Sequence, residues 1–199
     1  MMNSKLVKLE RLLTVNGGIV TTQMLSDGGF STRNIKQMVE EGLLERVKLG
    51  YYKQKQHEVS DTVLAAKLIP SGVLCLFTAI DHYELATVNP TEICIALPRD
   101  FNCPKLPPNL FVKIHHMTTS HFETGISEVE IDGAMVKIYN VEKTVCDCFK
   151  YENEVERSIA LEVLKNYMAR GGYNIQKLLE YAKLLGKKKL IYPYVEALL

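Results

Sequence analysis

The sequence predicts an α+β protein. A small helical N-terminal part closed by a short hairpin is followed by a larger α+β part, whose small, mostly antiparallel sheet gives way to helices. Three observations point there. Apolar residues recur at helical spacing over residues 4–41 and again over 141–185. Between them the pattern changes to short apolar runs separated by Gly, Pro and Asp, at Glu92–Leu97, Leu110–His115 and Glu128–Tyr139. Charge divides too. Residues 1–57 hold nine Lys and Arg against five Asp and Glu, a balance of +4, whereas residues 58–199 hold 15 against 18, a balance of −3. The whole-chain charge of +1 hides a basic small part joined to a mildly acidic larger one, a division that fits a polyanion reader attached to something else.

The first helix is expected to start at a Ser4 cap, to bury Leu6, Leu9, Leu12 and Leu13 on one stripe, and to stop at Asn16-Gly17. Ile19-Val20 is too short to stand alone and is expected to add a strand to the hairpin that follows. Thr22 can cap a second, short helix by accepting from an orphan N–H of its first turn. Gly28-Gly29 allows a sharp turn, and Ser31 caps a third helix. In that helix Ile35, Met38 and Val39 share one face, which leaves Thr32, Arg33, Asn34, Lys36 and Gln37 outside. Gly42 ends it as a left-handed residue. Leu43 to Val47, a tip at Lys48-Leu49-Gly50, and Tyr51 to Gln54 then read as two strands of a hairpin. Helix, turn, helix, hairpin is the order of a winged helix-turn-helix.

The residues left outside suit DNA. Arg bonds the two acceptors of guanine, Asn and Gln match adenine, and Lys pairs with phosphate or guanine. The expected DNA-binding set is therefore Thr22, Ser31, Thr32, Arg33, Asn34, Lys36 and Gln37, with Arg46, Lys48, Tyr51 and Lys53 of the hairpin against flanking phosphates.

Lys53 to Glu58 is polar and without period, so the expected domains are 1–56 and 57–199. Ser60 opens a helix ended near Pro70. Val73 to about Leu85, apolar over most of its girth, is expected to be a central helix. Strands at Glu92–Leu97 and Leu110–His115 flank a loop with four prolines from Pro98 to Pro108, and Asp132-Gly133 turns a hairpin between Glu128 and Tyr139. The remainder is helical, over Val141–Tyr151, Val155–Arg170 and Asn174–Leu185. A last segment after Lys187-Lys188-Lys189 is expected to be interrupted at Pro193.

Chemistry-bearing patterns are few. Cys146 and Cys148 are two apart, too close to share a helix face or to form a zinc pair. His115 and His116 are adjacent in an expected strand and so point to opposite faces, and His121 completes no cluster with them. Asp81-His82 has no third group placed by spacing. No phosphate-binding glycine loop or nuclease carboxylate pair is present. No enzymatic activity, metal or cofactor is expected. Nor is a membrane segment or a signal peptide, and five cysteines lying mostly in apolar runs suit reduced thiols in the cytoplasm. Two features stand out. Glu142 to Asp147 opens a helix with Lys143 and Asp147 four residues apart, a spacing that permits a pair on one face. Lys187, Lys188 and Lys189 form a local basic run, read either as a solvated cap or as a contact with an acidic partner or DNA.

Taken together, the chain resembles the AbiEi antitoxins of bacterial abortive-infection toxin–antitoxin systems. The resemblance rests on Gly18 to Thr22, Gly42-Leu43-Leu44 and Gly50-Tyr51-Tyr52 in the first part. In the second it rests on Gly72 to Ile80, the strand Ile93 to Pro98, and Glu142 to Asp147. It implies an N-terminal repressor domain that binds inverted repeats in the promoter of its own operon. It also implies a C-terminal antitoxin domain that counters a cognate nucleotidyltransferase toxin, in the setting of phage defence. Lys143, Thr144, Asp147, Lys187, Lys188 and Lys189 are the residues assigned to antitoxin function on this view. The competing expectation is a winged-helix regulator whose second domain senses a small molecule, with the Pro98–Pro108 loop and the Val73–Leu85 helix walling its pocket.

Overall fold

The structure, a computed structural model, describes residues 2–56 and 58–199, with the side chains of residues 2–4 outside the description. The Ser4 cap therefore rests on a side chain outside the described residues, and so does His57 beside the expected domain boundary. By contacts the chain falls into two compact units. One comprises Met1–Pro70, Pro104–Leu110 and Glu128–Val136, and the other Ser71–Cys103, Phe111–Ser127 and Lys137–Leu199.

The first unit begins with α1 (Met2–Val15), β1 (Ile19–Thr21), α2 (Thr22–Asp27), α3 (Thr32–Glu40), β2 (Leu44–Lys48) and β3 (Tyr51–Gln54). The strands form a small antiparallel sheet in the order β1-β3-β2, so Ile19-Val20 does contribute a strand. Leu9, Leu13, Val20, Leu25, Phe30, Ile35, Met38 and Leu44 make one buried cluster, with each helix giving its apolar stripe and the sheet one face. The turn between β2 and β3 uses Gly50 at φ 81°, and the register slips between Arg46 and Lys48, a bulge that twists the hairpin. The helix α4 (Asp61–Leu68) follows, capped by the Ser60 hydroxyl, which accepts from Val63 N–H at 3.4 Å. Lys67 Nζ donates to the carbonyl of Met135 at 3.0 Å.

The second unit carries β4 (Val73–Leu74), α5 (Leu76–His82), β5 (Ile93–Pro98), β6 (Val112–Met117) and α6 (Thr119–Glu123). Parts of β7 (Ile126–Ile131) and β8 (Ala134–Tyr139) belong to it as well. The five-stranded sheet has the order β6-β5-β4-β8-β7. It is mixed: β4 pairs antiparallel with β5, but β5–β6 and β4–β8 are parallel, where a mostly antiparallel sheet was expected. The crossover from β5 to β6 contains no helix. The β7–β8 turn holds Asp132 at φ 49° and Gly133 at φ 76°, the conformation that a two-residue Asp-Gly turn favours. Helices α7 (Val141–Lys150), α8 (Arg157–Ala169), α9 (Ile175–Leu184) and α10 (Lys188–Leu198) complete the chain.

Two further expectations fail here. Val73 to Leu85 is not one helix. Val73 and Leu74 are a central strand, and α5 starts only at Leu76, whose φ of 43° makes the turn between them. A fully buried strand is apolar on both faces, so its sequence shows no alternation to separate it from a buried helix. Nor does Pro193 interrupt the last helix. It lies inside α10 with Ile191 and Val195 buried on either side, so packing of that stripe offsets the lost backbone bond.

Around α7 the core is dense. Every residue from Lys143 to Phe149 is buried, and the helix packs on α5, α8, α9 and α10.

Gly17 is at φ 65°, and a Cβ built there would lie 2.2 Å from Ala134 Cβ. Gly17→Ala is expected to destabilise the protein by about 2 kcal/mol or more, from backbone strain and overpacking together. A denaturant midpoint equal to that of the parent protein would contradict this close approach.

Candidate functional site

The residues expected to read DNA lie on α3, at the start of α2 and on the β2–β3 hairpin. Ser31 sits extended ahead of α3, and its hydroxyl oxygen accepts from Asn34 N–H at 3.3 Å. Asn34 Oδ1 in turn accepts from Ser31 N–H at 3.2 Å and from the Ser31 hydroxyl at 3.0 Å. This reciprocal cap contributes about 1 kcal/mol and fixes the first turn of α3. It also half-buries Asn34 and commits its Oδ1, so Asn34 holds the helix start rather than standing outside it. With Ile35 and Met38 buried, Thr32, Arg33, Lys36 and Gln37 are exposed. Lys36 Nζ lies 3.7 Å from Glu40, and Gln37 Nε2 donates to Glu41 Oε1 at 2.7 Å. Exposed pairs one turn apart hold weakly, so both side chains can exchange these partners for others. Among the described residues no ion pair involves Arg33.

Thr21, not Thr22, caps α2. It leaves β1 at φ −95° and ψ 162°, the extended geometry a cap needs, and its oxygen accepts from Met24 N–H at 3.2 Å. Thr22 is already helical and exposed, and its N–H donates to the Gly50 carbonyl at 2.9 Å. That bond ties the start of α2 to the tip of the hairpin. On the hairpin Arg46 is exposed. Lys48 is half-buried, with Nζ 3.4 Å from the Leu68 carbonyl and 4.6 Å above the ring of half-buried Tyr51. Lys53 Nζ lies 3.5 Å from Glu45. The structure therefore brings Thr32, Arg33, Lys36 and Gln37 onto one exposed helix face, while Lys48 and Tyr51 are engaged with each other and with α4.

The residues assigned to antitoxin function divide sharply. Asn140 caps α7, its Oδ1 accepting from Lys143 N–H at 3.0 Å. The Lys143 side chain then runs inward. Its Nζ lies 2.6 Å from both Asp147 oxygens and 4.2 Å above the Tyr139 ring. Both partners are 0% exposed. Thr144 is buried too, its hydroxyl donating to the Asn140 carbonyl at 2.9 Å. The pair of residues four apart is present as the spacing predicts, but the side chains face into the core and offer no surface to a partner. Burial pushes the Asp147 carboxyl above its ordinary value, and the Lys143 ammonium beside it opposes this only in part. Gly125, at φ 77°, approaches so closely that a Cβ there would lie 2.6 Å from Lys143 Cβ. Lys187 is half-buried and bonded to Glu152, whereas Lys188 and Lys189 are exposed in the first turn of α10.

Three other features of the second unit bear on a site. A cavity of about 350 Å³ is lined by Phe77, Val88, Glu92, Cys94, Lys113 and Ile159, among others, with the 87–91 loop forming one wall. The Pro98–Pro108 loop expected to wall a pocket does not line it. His115 is buried with its Nε2 unpartnered and its ring edge-on to Tyr151, while His116 on the next position is exposed. The opposite faces of His115 and His116 follow from their adjacency in the strand, as expected, but which of them is buried, and the walls of the cavity, come from strand pairing that no local spacing encodes. Lys113 pairs with Glu154 across the unit.

No known protein-family profile and no curated protein matches the chain. Among solved structures, the crystal structure of the RV2827C protein from Mycobacterium tuberculosis is similar, with a TM-score of 0.53 and 13% identity over 85% of this chain and 72% of that one. At that identity the likeness is one of fold. Among the described residues no helix is long and apolar enough to cross a membrane.

Lys143→Ala is expected to cost about 3–5 kcal/mol, because it leaves a carboxylate buried without a partner, whereas the double change Lys143→Met with Asp147→Leu is expected to be near neutral. Equal losses in the single and double variants, read from denaturant unfolding, would show that the pair itself is the stabilising feature.

Burial pushes the His115 imidazole below its ordinary value, with Glu154 opposing. The folded state then binds its proton less readily than the unfolded state. The stability this contributes is present above about pH 6.5 and is lost as pH falls below it. His115→Leu is expected to flatten the stability–pH curve between about pH 6.5 and 5; a curve as steep as that of the parent would assign the acid sensitivity to other groups.

Proposed function

We propose that this chain is a DNA-binding repressor whose first unit acts as a winged helix-turn-helix and whose second unit is an antitoxin domain of the AbiEi type. The observation that carries the DNA reading is the outer face of α3. Thr32, Arg33, Lys36 and Gln37 stand exposed on a helix whose start is fixed by the Ser31–Asn34 cap and whose inner face is locked by Ile35 and Met38. A rigid helix with bidentate donors on its free face suits insertion into a major groove. The β2–β3 hairpin, with exposed Arg46 and half-buried Lys53, supports a flanking phosphate contact, and the +4 balance of residues 1–57 supports the same reading. In this role promoter DNA with inverted repeats is the first partner and a cognate nucleotidyltransferase toxin the second. The antitoxin part rests on the resemblance of Gly72 to Ile80, Ile93 to Pro98 and Glu142 to Asp147. The burial of Lys143, Thr144 and Asp147 favours a structural role for those three within it, which leaves Lys188 and Lys189 as the exposed members of the assigned set.

Arg33→Ala in the full chain is expected to weaken binding to the promoter duplex by about 1–3 kcal/mol, while Lys5→Ala on α1 changes it little. Each phosphate contact should add about −0.9 to the slope of log K against log salt. A gel-shift titration in which the parent protein ignores the promoter at low salt, or in which Lys5→Ala matches Arg33→Ala, would overturn the assignment of α3.

For the second unit, Lys188→Glu with Lys189→Glu is expected to abolish protection from the co-expressed toxin while melting and promoter binding are unchanged. Full protection by this double variant would remove the basic run from the antitoxin surface.

A further inference from the structure

Strand β4 pairs antiparallel with β5, Val73 opposite Ala96 and Leu74 opposite Ile95. One step further sets Cys75 opposite Cys94. Cys75 N–H donates to the Cys94 carbonyl at 3.0 Å, and Cys75 is still extended at φ −147° and ψ 177°. The Cys94 N–H turns instead to the Thr78 hydroxyl at 2.8 Å, but directly opposed residues still project to the same face with Cα atoms about 4.5–5.5 Å apart. Disulfides span Cα separations of about 4.4–6.8 Å. Both side chains are thiols and belong to the same buried cluster.

The two differ in access. Cys75 is sealed, whereas Cys94 lines the 350 Å³ cavity together with Lys113, the residue opposite it in the β5–β6 register. Burial raises both thiols, Cys75 further than Cys94, because at Cys94 neighbouring backbone N–H groups and the Lys113 ammonium oppose it in part.

We propose that Cys94 and Cys75 are a redox-active pair, with Cys94 oxidised by a small hydroperoxide that enters the cavity and Cys75 resolving it into a disulfide. In the first step the Cys94 thiolate attacks the peroxide oxygen. The O–O bond breaks, the sulfur becomes a sulfenic acid, and the leaving alkoxide or hydroxide takes a proton to depart as alcohol or water. In the second, the Cys75 sulfur attacks the Cys94 sulfur, hydroxide leaves and takes the Cys75 proton as water, and the S–S bond forms. Two thiols are oxidised by two electrons and one peroxide is reduced.

The test is peptide mapping of the native full chain after brief treatment with hydrogen peroxide and alkylation of the remaining thiols. The expected result is a Cys75–Cys94 cross-linked peptide lighter by two hydrogens and released by dithiothreitol. Cys75→Ser should trap a dimedone-reactive sulfenic acid at Cys94. Mapping of the parent protein decides the matter even if a variant fails to fold. Oxidation confined to half-buried Cys103, or a bond from Cys94 to any thiol other than Cys75, overturns the proposal. A cross-link in the parent without sulfenic acid at Cys94 in a folded Cys75→Ser protein overturns the order of attack.

Discussion

One buried ion pair sets the register in which the elements of the second unit pack. Lys143 and Asp147 are wholly buried at the centre of a helix that touches four others, and each oxygen of the carboxylate lies 2.6 Å from the ammonium. Removing two charges from water costs several kcal/mol apiece, and their attraction offsets this only in good geometry with the remaining donors satisfied. Here Tyr139 presents its ring face to the ammonium, and its hydroxyl donates away from the pair, to the Phe122 carbonyl at 2.9 Å. Gly125 lets the chain ahead of β7 close over the lysine stem. The arrangement fixes how β8, α7 and the 118–125 segment meet, since any shift of one leaves a bare charge in the core. An apolar substitute would pack as well without imposing that register.

The first unit is held differently. Its cluster is apolar, and its polar bonds lie at the edges: the Ser31–Asn34 box, the Thr21 cap, and the Thr22 N–H to the Gly50 carbonyl. Each bond fixes the end of an element instead of a core register. The result is a stiff α3 whose exposed face is free of core duties.

How far the sequence could be read follows from where the deciding information lies. The α3 segment was legible because its start, its stop and its apolar spacing are all local: Ser31, Gly42, and Ile35 with Met38. The Asp132-Gly133 turn was legible for the same reason. The strand at Val73-Leu74 was not, because its identity comes from β5 on one side and β8 on the other, far away in sequence. Lys143 shows the limit for sites. The spacing to Asp147 foretold the partner but not the direction, and a charged pair is read as exposed unless something distant, here Gly125 and Tyr139, encloses it. The parallel β5–β6 pairing that puts Lys113 beside Cys94 is equally distant information.

The same contrast bears on what a resemblance in sequence can assign. A motif can be retained because a partner reads it or because the core needs it. In Glu142 to Asp147 the structure separates these causes residue by residue. Lys143, Thr144 and Asp147 are inside, and Glu142 is half-buried, held 3.0 Å from Lys177 and bonded by the Tyr167 hydroxyl at 3.4 Å. These residues therefore serve the folding of the second unit and leave no side chain of the Lys143–Asp147 turn free to meet a partner. A surface that meets a partner has to be sought among side chains with no such internal duty. Lys187, bonded to Glu152, does not meet that condition, but Lys188 and Lys189 do, two cations at the positive end of α10 where the helix dipole disfavours them. Their placement gains nothing for the isolated helix, so an acidic surface or phosphate approaching that end would find charge already held there against the preference of the fold.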